Sequence, residues 1–131
     1  MVKKNKTTIK HFELFRSECL RWAEILGLKG WEIRFDHMEN GEEYENDLSL
    51  CTTDCLNRCC KLSLFKQWPD EFELNDEEVR LSAFHEVCHV FLDLIGSVAR
   101  TRFIMKHELD EAEHAMIRTL ENVLYPQYKV R

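Results

Sequence analysis

The stretch LSAFHEVCHVFLDLIG, Leu81 to Gly96, constrains this chain more than any other, because it embeds a His-Glu-x-x-His sequence in a helix pattern. Apolar residues recur around the motif at the three-to-four spacing of a helix. They are Phe84, Val87, Cys88, Phe91, Leu92 and Ile95. Upstream, Asn75 or Asp76 is suited to cap the helix, and acidic residues follow in its first turn. We therefore predict a helix from there to Gly96, buried over much of its circumference.

The three polar residues of the motif have the spacing of a metal site. Residues four apart lie one turn above each other on a helix, so His85 and His89 can present imidazole nitrogens to one ion. Glu86 lies about 100° around the helix from His85. In that position a general base can take a proton from a water that zinc activates. Independent placement of these residues would produce the pattern about 0.03 times in such a chain, so coincidence is a poor explanation.

A catalytic zinc normally has three protein ligands and one open position, so a third ligand must come from elsewhere in the chain. The segment KHELDEAEHAMIRTLENVLYP, with a helix pattern from about His107 to residue 124, offers candidates. Stepping back along its apolar stripe from Met116 reaches Glu113, a carboxylate at the edge of a buried face, which is unusual unless it is paired. Glu113 is therefore the first choice. The alternatives are His114, Glu111 and His107.

The rest of the chain predicts one helix and a small sheet ahead of the motif helix. Residues 7–26 carry apolar side chains at helical spacing, and two glycines follow. Residues 31–35 alternate between apolar and polar, as do residues 48–54 and 59–66 on either side of a short polar link, which predicts a strand and an antiparallel hairpin. The expected fold is one α+β domain over residues 1–131. It has an N-terminal helix, three strands, the motif helix and a C-terminal helix with the third ligand, and residues 1–6 form a disordered tail.

The charge and hydropathy of the chain limit the kinds of partner that it is expected to bind. The 18 basic and 24 acidic residues give a net charge of −6, which has the wrong sign for binding a phosphate backbone, so we expect no nucleic-acid partner. No apolar window approaches the roughly 18 residues of a membrane span, and no export signal follows the basic start. We therefore expect a cytoplasmic protein with no membrane partner.

Six cysteines in such a compartment are expected to be reduced thiols. Four of them, Cys51, Cys55, Cys59 and Cys60, lie in CTTDCLNRCC, whose spacing is not the Cys-x-x-Cys of a zinc knuckle. Cys59 and Cys60 are neighbours on a predicted strand and point to opposite faces, so free thiols are favoured over a second metal site. Cys88 is interpreted as a small core residue turned away from the metal.

The motif and its surroundings resemble a known family. HEVCH on a helix, preceded by GLKGWEIRF and a hairpin and followed by EAEHAMIRTLENVL, is similar to the minimal zincin-like metallopeptidases of phage and prophage genomes, over about residues 7–125. The resemblance implies a zincin fold, with His85 and His89 as zinc ligands, Glu86 as catalytic base and Glu113 as third ligand. The chain lacks both the Asn-Glu-x-x-x-Asp segment of thermolysin-type sites and the extended metzincin motif. The resemblance thus extends to the superfamily and to no narrower group.

These features predict an enzyme, a metallopeptidase with one catalytic Zn²⁺ that hydrolyses a peptide or protein bound along the strand beside the motif helix. A further proton donor or oxyanion-stabilising group is often required, and the sequence leaves several candidates. These are Tyr44, Tyr125, Tyr128, His107 and His114. The alternative is a non-catalytic binding or regulatory module that zinc stabilises on the same scaffold.

Overall fold

The structure is a computed structural model that describes residues 5–101 and 105–128, with side chains as far as Leu124. Its elements, in chain order, are α1 (Ile9–Ile25), β1 (Glu32–Met38), a 3-10 turn (Glu42–Tyr44), β2 (Ser49–Asp54), β3 (Cys59–Phe65), α2 (Asp76–Ala99) and α3 (Lys106–Tyr128). The predicted order of one helix, three strands and two helices is confirmed, and so is the α+β class.

The three strands form one sheet in the order β1-β3-β2. β3 is the central strand and pairs antiparallel with β2, with Ser49 opposite Leu64 and Asp54 opposite Cys59, which confirms the predicted hairpin. On its other side β3 pairs in parallel with β1. β2 is therefore an edge strand, and its outer backbone edge pairs with no strand of the described residues.

The hydrophobic core lies between one face of this sheet and the helices α1 and α2. β3 directs alternate side chains, Cys60, Leu62 and Leu64, toward the helices, as the two-residue period of a strand requires. The largest fully buried side chains that meet them from other elements are Phe15, Cys19, Trp68, Val79, Val87 and Val90. Because Val79, Val87 and Val90 lie on the inner faces of α2, the packing fixes how that helix is rotated on the sheet.

Local contacts explain the conformation at both ends of the motif helix. The Asn75 side chain accepts a hydrogen bond from the backbone N–H of Glu78 at 2.9 Å, which confirms the predicted N-cap. At the other end the prediction that Gly96 terminates the helix is wrong, because α2 continues to Ala99. Arg100 folds back across Gly96, where a β-carbon would lie 3.1 Å from Arg100 Nη1. The glycine therefore makes room for a guanidinium and does not end the helix.

The C-terminal helix also runs further than predicted. α3 passes through Pro126 and ends at Tyr128, beyond the end expected near residue 124. It packs on α2 and on the end of α1, where Thr119 and Val123 approach Gly27. Gly27 has a φ of +75°, a conformation that glycine adopts without the strain of a side chain.

The start of the chain is held against the loop that follows β3. Asn5 donates hydrogen bonds to the carbonyls of Pro69 and Phe72 at 2.9 and 2.6 Å, and Lys6 forms an antiparallel bridge with Gln67. The tail predicted for residues 1–6 is thus wrong for residues 5 and 6, because two backbone carbonyls and a bridge fix them. Residues 1–4 lie outside the described residues.

One described helix, α2, is long and apolar enough by length and composition to cross a membrane. Its best window has a mean hydropathy of 1.3 and is 33% buried. The core helix of a soluble protein passes the same test, and α2 supplies core residues such as Val79 and Val87. The structure is compatible with a soluble protein, while a cytoplasmic location stays a prediction.

Candidate metal centre

The rotation of α2 places the three motif residues at the boundary between core and solvent. Val87 and Val90 are buried on the inner side, so His85 and His89, 40° apart on the helical projection, face outward and are exposed. Glu86 lies 100° from His85 and turns inward, with only 4% of its surface exposed. The helix thus presents two accessible imidazoles beside a buried carboxylate.

The two imidazoles are close enough to share a ligand. Their Nε2 atoms are 3.2 Å apart, and the rings meet edge to face with centroids 4.9 Å apart. With the carboxylate of Glu86 they form a group whose potential ligand atoms all lie within 4.8 Å of one another. Among residues 5–101 and 105–128, no other group of three or more His, Cys, Asp or Glu residues meets this criterion.

The edge strand β2 supplies the polar groups opposite α2. Ser49 Oγ donates a hydrogen bond to Glu86 Oε2, and Thr53 Oγ1 donates one to Asp93 Oδ1 at 2.8 Å. Cys51 lies between Ser49 and Thr53 on the same face, because alternate residues of a strand share a face. β2 therefore fixes two carboxylates of α2, one inside the motif and one a turn beyond it.

An open cleft of about 470 Å³ runs between β2 and α2 across this group. Its lining residues are Asp47, Ser49, Leu50, Cys51, Thr53, His85, Glu86, His89, Leu92, Asp93, Gly96 and Arg100. Three carboxylates, Asp47, Glu86 and Asp93, are set along it, so the cleft is rich in acceptors for a cation. Both motif histidines face the same cleft.

Burial dominates the electrostatics of Glu86. It raises the pKa of this carboxyl above its ordinary value, because the charged form loses hydration. The hydrogen bond from Ser49 and the proximity of His85 and His89 act in the opposite direction, and the negative charge of Asp47 reinforces the rise. One hydrogen-bond donor, the hydroxyl of Ser49, thus holds the Glu86 carboxylate in a partly desolvated site.

The predicted third ligand, Glu113, is not brought to the histidines in this structure. It is exposed on α3 and does not belong to the His85, Glu86 and His89 group. α3 packs near Val90, Phe91 and Leu94, on the side of α2 opposite the two histidines at 100° per residue. Ligation by Glu113 therefore requires α3 to approach the other face of α2, and this ligand stays a prediction.

The alternative third ligands on α3 lie no nearer. His107, Glu111 and His114 are all exposed, and His114 Nδ1 lies 2.7 Å from the carbonyl oxygen of Asp110. Among the candidate proton donors, Tyr44 stacks on Phe65 and does not line the cleft. The side chains of Tyr125 and Tyr128 lie outside the described part of the chain.

The cysteines match their predicted role as free thiols. Cys60 is buried on the helix side of β3 and Cys59 is partly exposed, as alternation on a strand predicts. Burial raises the pKa of Cys51 to about 12 and of Cys60 to about 11. Cys88 does not line the cleft, which agrees with its assignment away from the ligand face.

Ser49, Thr53 and Asp93 were missed from the sequence as parts of the site. The available signal for Asp93 was its spacing, four residues after His89 and eight after His85, which puts it on the same side of a helix. Ser49 and Thr53 share a strand face with Cys51, and that pattern also fits an ordinary exposed strand. Only the packing of β2 on α2 gives these residues a role.

Comparisons with protein-family profiles, curated proteins and solved structures find no match to this chain. A functional interpretation therefore rests on the residues and geometry of the cleft.

Proposed function

We propose that the protein is a zinc-dependent metallopeptidase in which His85 and His89 bind the metal and Glu86 is the general base. The observation that carries this proposal is the 3.2 Å separation of the two Nε2 atoms. Two nitrogens that each lie about 2.0–2.1 Å from a tetrahedral zinc are separated by about 3.3 Å. The donor set is also the one that zinc prefers, so the residues present fit the metal.

Zinc, when bound, supplies a Lewis acid that polarises a carbonyl group and acidifies water. The contribution of the chain is the base. Ser49 fixes Oε2 of Glu86, so the second carboxylate oxygen remains to accept a proton from the attacking water and pass it to the departing amine. Only 4% of Glu86 is exposed, so little water reaches the carboxylate from its inner side.

A peptide substrate is supported by the position of β2. Its outer edge has no strand partner within the described residues, and it runs along the cleft beside the motif helix. An extended peptide can add to such an edge through backbone hydrogen bonds, and its alternate side chains then face α2. A peptide bound in this way would have a scissile amide next to Glu86.

Two residues are candidates for the third ligand. Glu113 is the one implied by the resemblance to zincin-like peptidases. Asp47 also lies outside the His85, Glu86 and His89 group, but it lines the cleft with His85 and its charge acts on Glu86. Carboxylate oxygen is a suitable zinc ligand in either case.

The proposal is tested by Glu86→Gln, which keeps the shape of the side chain and removes its basicity. We expect unchanged zinc content and a loss of about 100-fold or more in cleavage of a fluorescent peptide library, the usual contribution of a general base. Glu13→Gln, an exposed change on α1, is the matched control and should cleave normally.

Two results would contradict the enzyme proposal. Cleavage that Glu86→Gln leaves unaffected would remove Glu86 from the reaction. A wild-type protein that binds one zinc and cleaves no member of the library would instead be a zinc-stabilised binding module.

A further inference from the structure

We propose that Asp93 forms a subsite in the cleft for a basic side chain of the substrate, one helical turn beyond His89. This inference rests on the proposed peptide hydrolysis and adds to it a preference for lysine or arginine near the bond that is cut. It assigns a role to a buried acid that the catalytic proposal leaves unused.

The first argument is the state of the Asp93 carboxylate. Its side chain is only 5% exposed, yet it lines the open cleft. Oδ1 accepts hydrogen bonds from Thr53 Oγ1 at 2.8 Å and Arg100 Nη2 at 3.4 Å. Oδ2 is buried, and the thiol of Cys55 lies close enough to the carboxylate to act on it as a hydrogen-bond donor. A buried carboxylate is costly unless donors surround it, so this position requires hydroxyl or cationic donors such as Thr53 and Arg100.

The second argument separates Asp93 from the metal. Four helical residues advance about 6 Å along the axis, so Asp93 lies about 6 Å along α2 from His89 and about 12 Å from His85. A carboxylate must approach zinc to about 2.0–2.2 Å, and Asp93 is not in the group formed by His85, Glu86 and His89. The natural partner of this carboxylate is therefore a group other than the proposed zinc ion.

The third argument concerns the sign of the charge that the subsite accepts. A guanidinium already lies on Oδ1, but it belongs to Arg100, whose side chain is 71% exposed and reaches back over Gly96. Because the arginine is exposed and its contact with the carboxylate is long, at 3.4 Å, another cation can exchange with its guanidinium. A lysine or arginine that enters from the cleft can take the place of Arg100 on Oδ1 with a charge-assisted hydrogen bond.

The hydrogen bonds between β2 and α2 give the distance from the reaction centre. Ser49 is hydrogen-bonded to Glu86, and Thr53 is hydrogen-bonded to Asp93. These two strand residues are four positions, or about 13 Å, apart along β2. A peptide that lies along β2 therefore places its basic residue within about four residues of the scissile bond.

The test uses the zinc-loaded full chain and capped decapeptides that differ only in carrying lysine or glutamine at each position in turn. We expect wild type to favour lysine at one position by about tenfold or more in kcat/KM. Asp93→Asn should bring that ratio near one without changing zinc content or cleavage of the glutamine peptide, because asparagine can still accept the Thr53 bond. Asp70→Asn, an exposed change of equal charge outside the cleft, should keep the preference.

Arg100→Gln provides a second variant with little risk to folding. Removal of the competing guanidinium should increase kcat/KM for the lysine peptide and leave the glutamine peptide unchanged. Cleavage without a preference for lysine, a lysine preference that survives in Asp93→Asn, or an Arg100→Gln protein with lower kcat/KM for the lysine peptide would each overturn the assignment.

A binding measurement distinguishes this inference from the catalytic proposal. If wild type cleaves neither peptide, the proposed hydrolysis is wrong. The same peptides are then tested for retention on immobilised Glu86→Gln protein. Selective retention of lysine peptides that is lost in Glu86→Gln/Asp93→Asn supports the subsite. Equal retention of both peptides, or retention of neither, overturns it.

Discussion

At the residue scale, the position of Glu86 depends on one hydroxyl of the neighbouring strand. Ser49→Ala removes the donor to Oε2 while it leaves the two histidines untouched. We expect kcat to fall by about tenfold, with KM and zinc content unchanged, because a loosely held base is productive less of the time. Steady-state kinetics with a peptide that the wild type cleaves measure kcat and KM separately.

Ser49→Thr is the control, because threonine retains the hydroxyl and suits a β-strand. It should recover most of the lost kcat. A Ser49→Ala protein with full activity would show that Ser49 does not position the base.

A second residue-scale prediction concerns pH and His37, which does not line the cleft. Burial, followed by the charge of Lys66, lowers the pKa of His37. Thr7 Oγ1 lies 2.7 Å from its Nε2, and Phe12 stacks on the ring. The folded state therefore favours neutral imidazole, and below the ordinary histidine pKa of about 6.5 the unfolded chain binds more protons. The contribution to stability is complete above that pH and is lost as pH falls toward the lowered folded-state pKa.

The measurement is urea unfolding at about pH 7.5 and about pH 5.5, on either side of the ordinary histidine pKa. The free energy of unfolding should fall less in His37→Gln than in wild type. His107→Gln, which removes an exposed histidine, is the control. An equal fall in wild type and His37→Gln would remove His37 from the acid sensitivity.

The sequence predicts the motif residues but not their neighbours, and the reason is physical. His85, Glu86 and His89 are related by local helical geometry, which their spacing specifies. The bonds from Ser49 to Glu86 and from Thr53 to Asp93 join residues 37 and 40 positions apart. They depend on how a strand packs on a helix, and no local pattern encodes that contact.

At the element scale, the position of α3 decides between the two candidate third ligands. α3 lies against the side of α2 that faces away from His85, whereas Asp47 lies at the cleft. Loss of a true ligand should weaken zinc affinity by more than the 10–100-fold typical of residues that only support a ligand. Zinc titration of Glu113→Ala and Asp47→Ala by competition with a chelating dye measures this directly.

Glu111→Ala and His114→Ala are the matched controls on α3. If Glu113→Ala alone weakens binding, α3 moves to the other face of α2 when zinc binds. If Asp47→Ala alone does so, the assignment of Glu113 by resemblance is wrong. Wild-type affinity in both variants would contradict both candidates.

Element order was predictable because each helix and strand carries its own periodicity. The ends of the elements were less predictable. Glycine and proline usually end a helix, yet Gly96 lies inside α2 and Pro126 lies inside α3. The parallel pairing of β1 with β3 is a tertiary contact between distant segments, and nothing in the alternation of either strand specifies it.

At the scale of the whole molecule, α2 is both the central core helix and the carrier of the site. Val79, Val87 and Val90 fix its rotation from within, and that rotation determines where His85 and His89 face. The proposed metal centre thus follows from the core packing of a small domain. Zinc that binds only the folded chain should in turn stabilise the whole fold.

The central claim is that His85 and His89 hold a metal, and the zinc content of protein purified without chelator tests it most directly. We predict about one zinc per chain in wild type and in His11→Gln, which removes a histidine of α1, and little zinc in His85→Ala or His89→Ala. Melting temperatures confirm that the variants fold. A folded wild type without zinc, or full zinc content in both His85→Ala and His89→Ala, would contradict the claim.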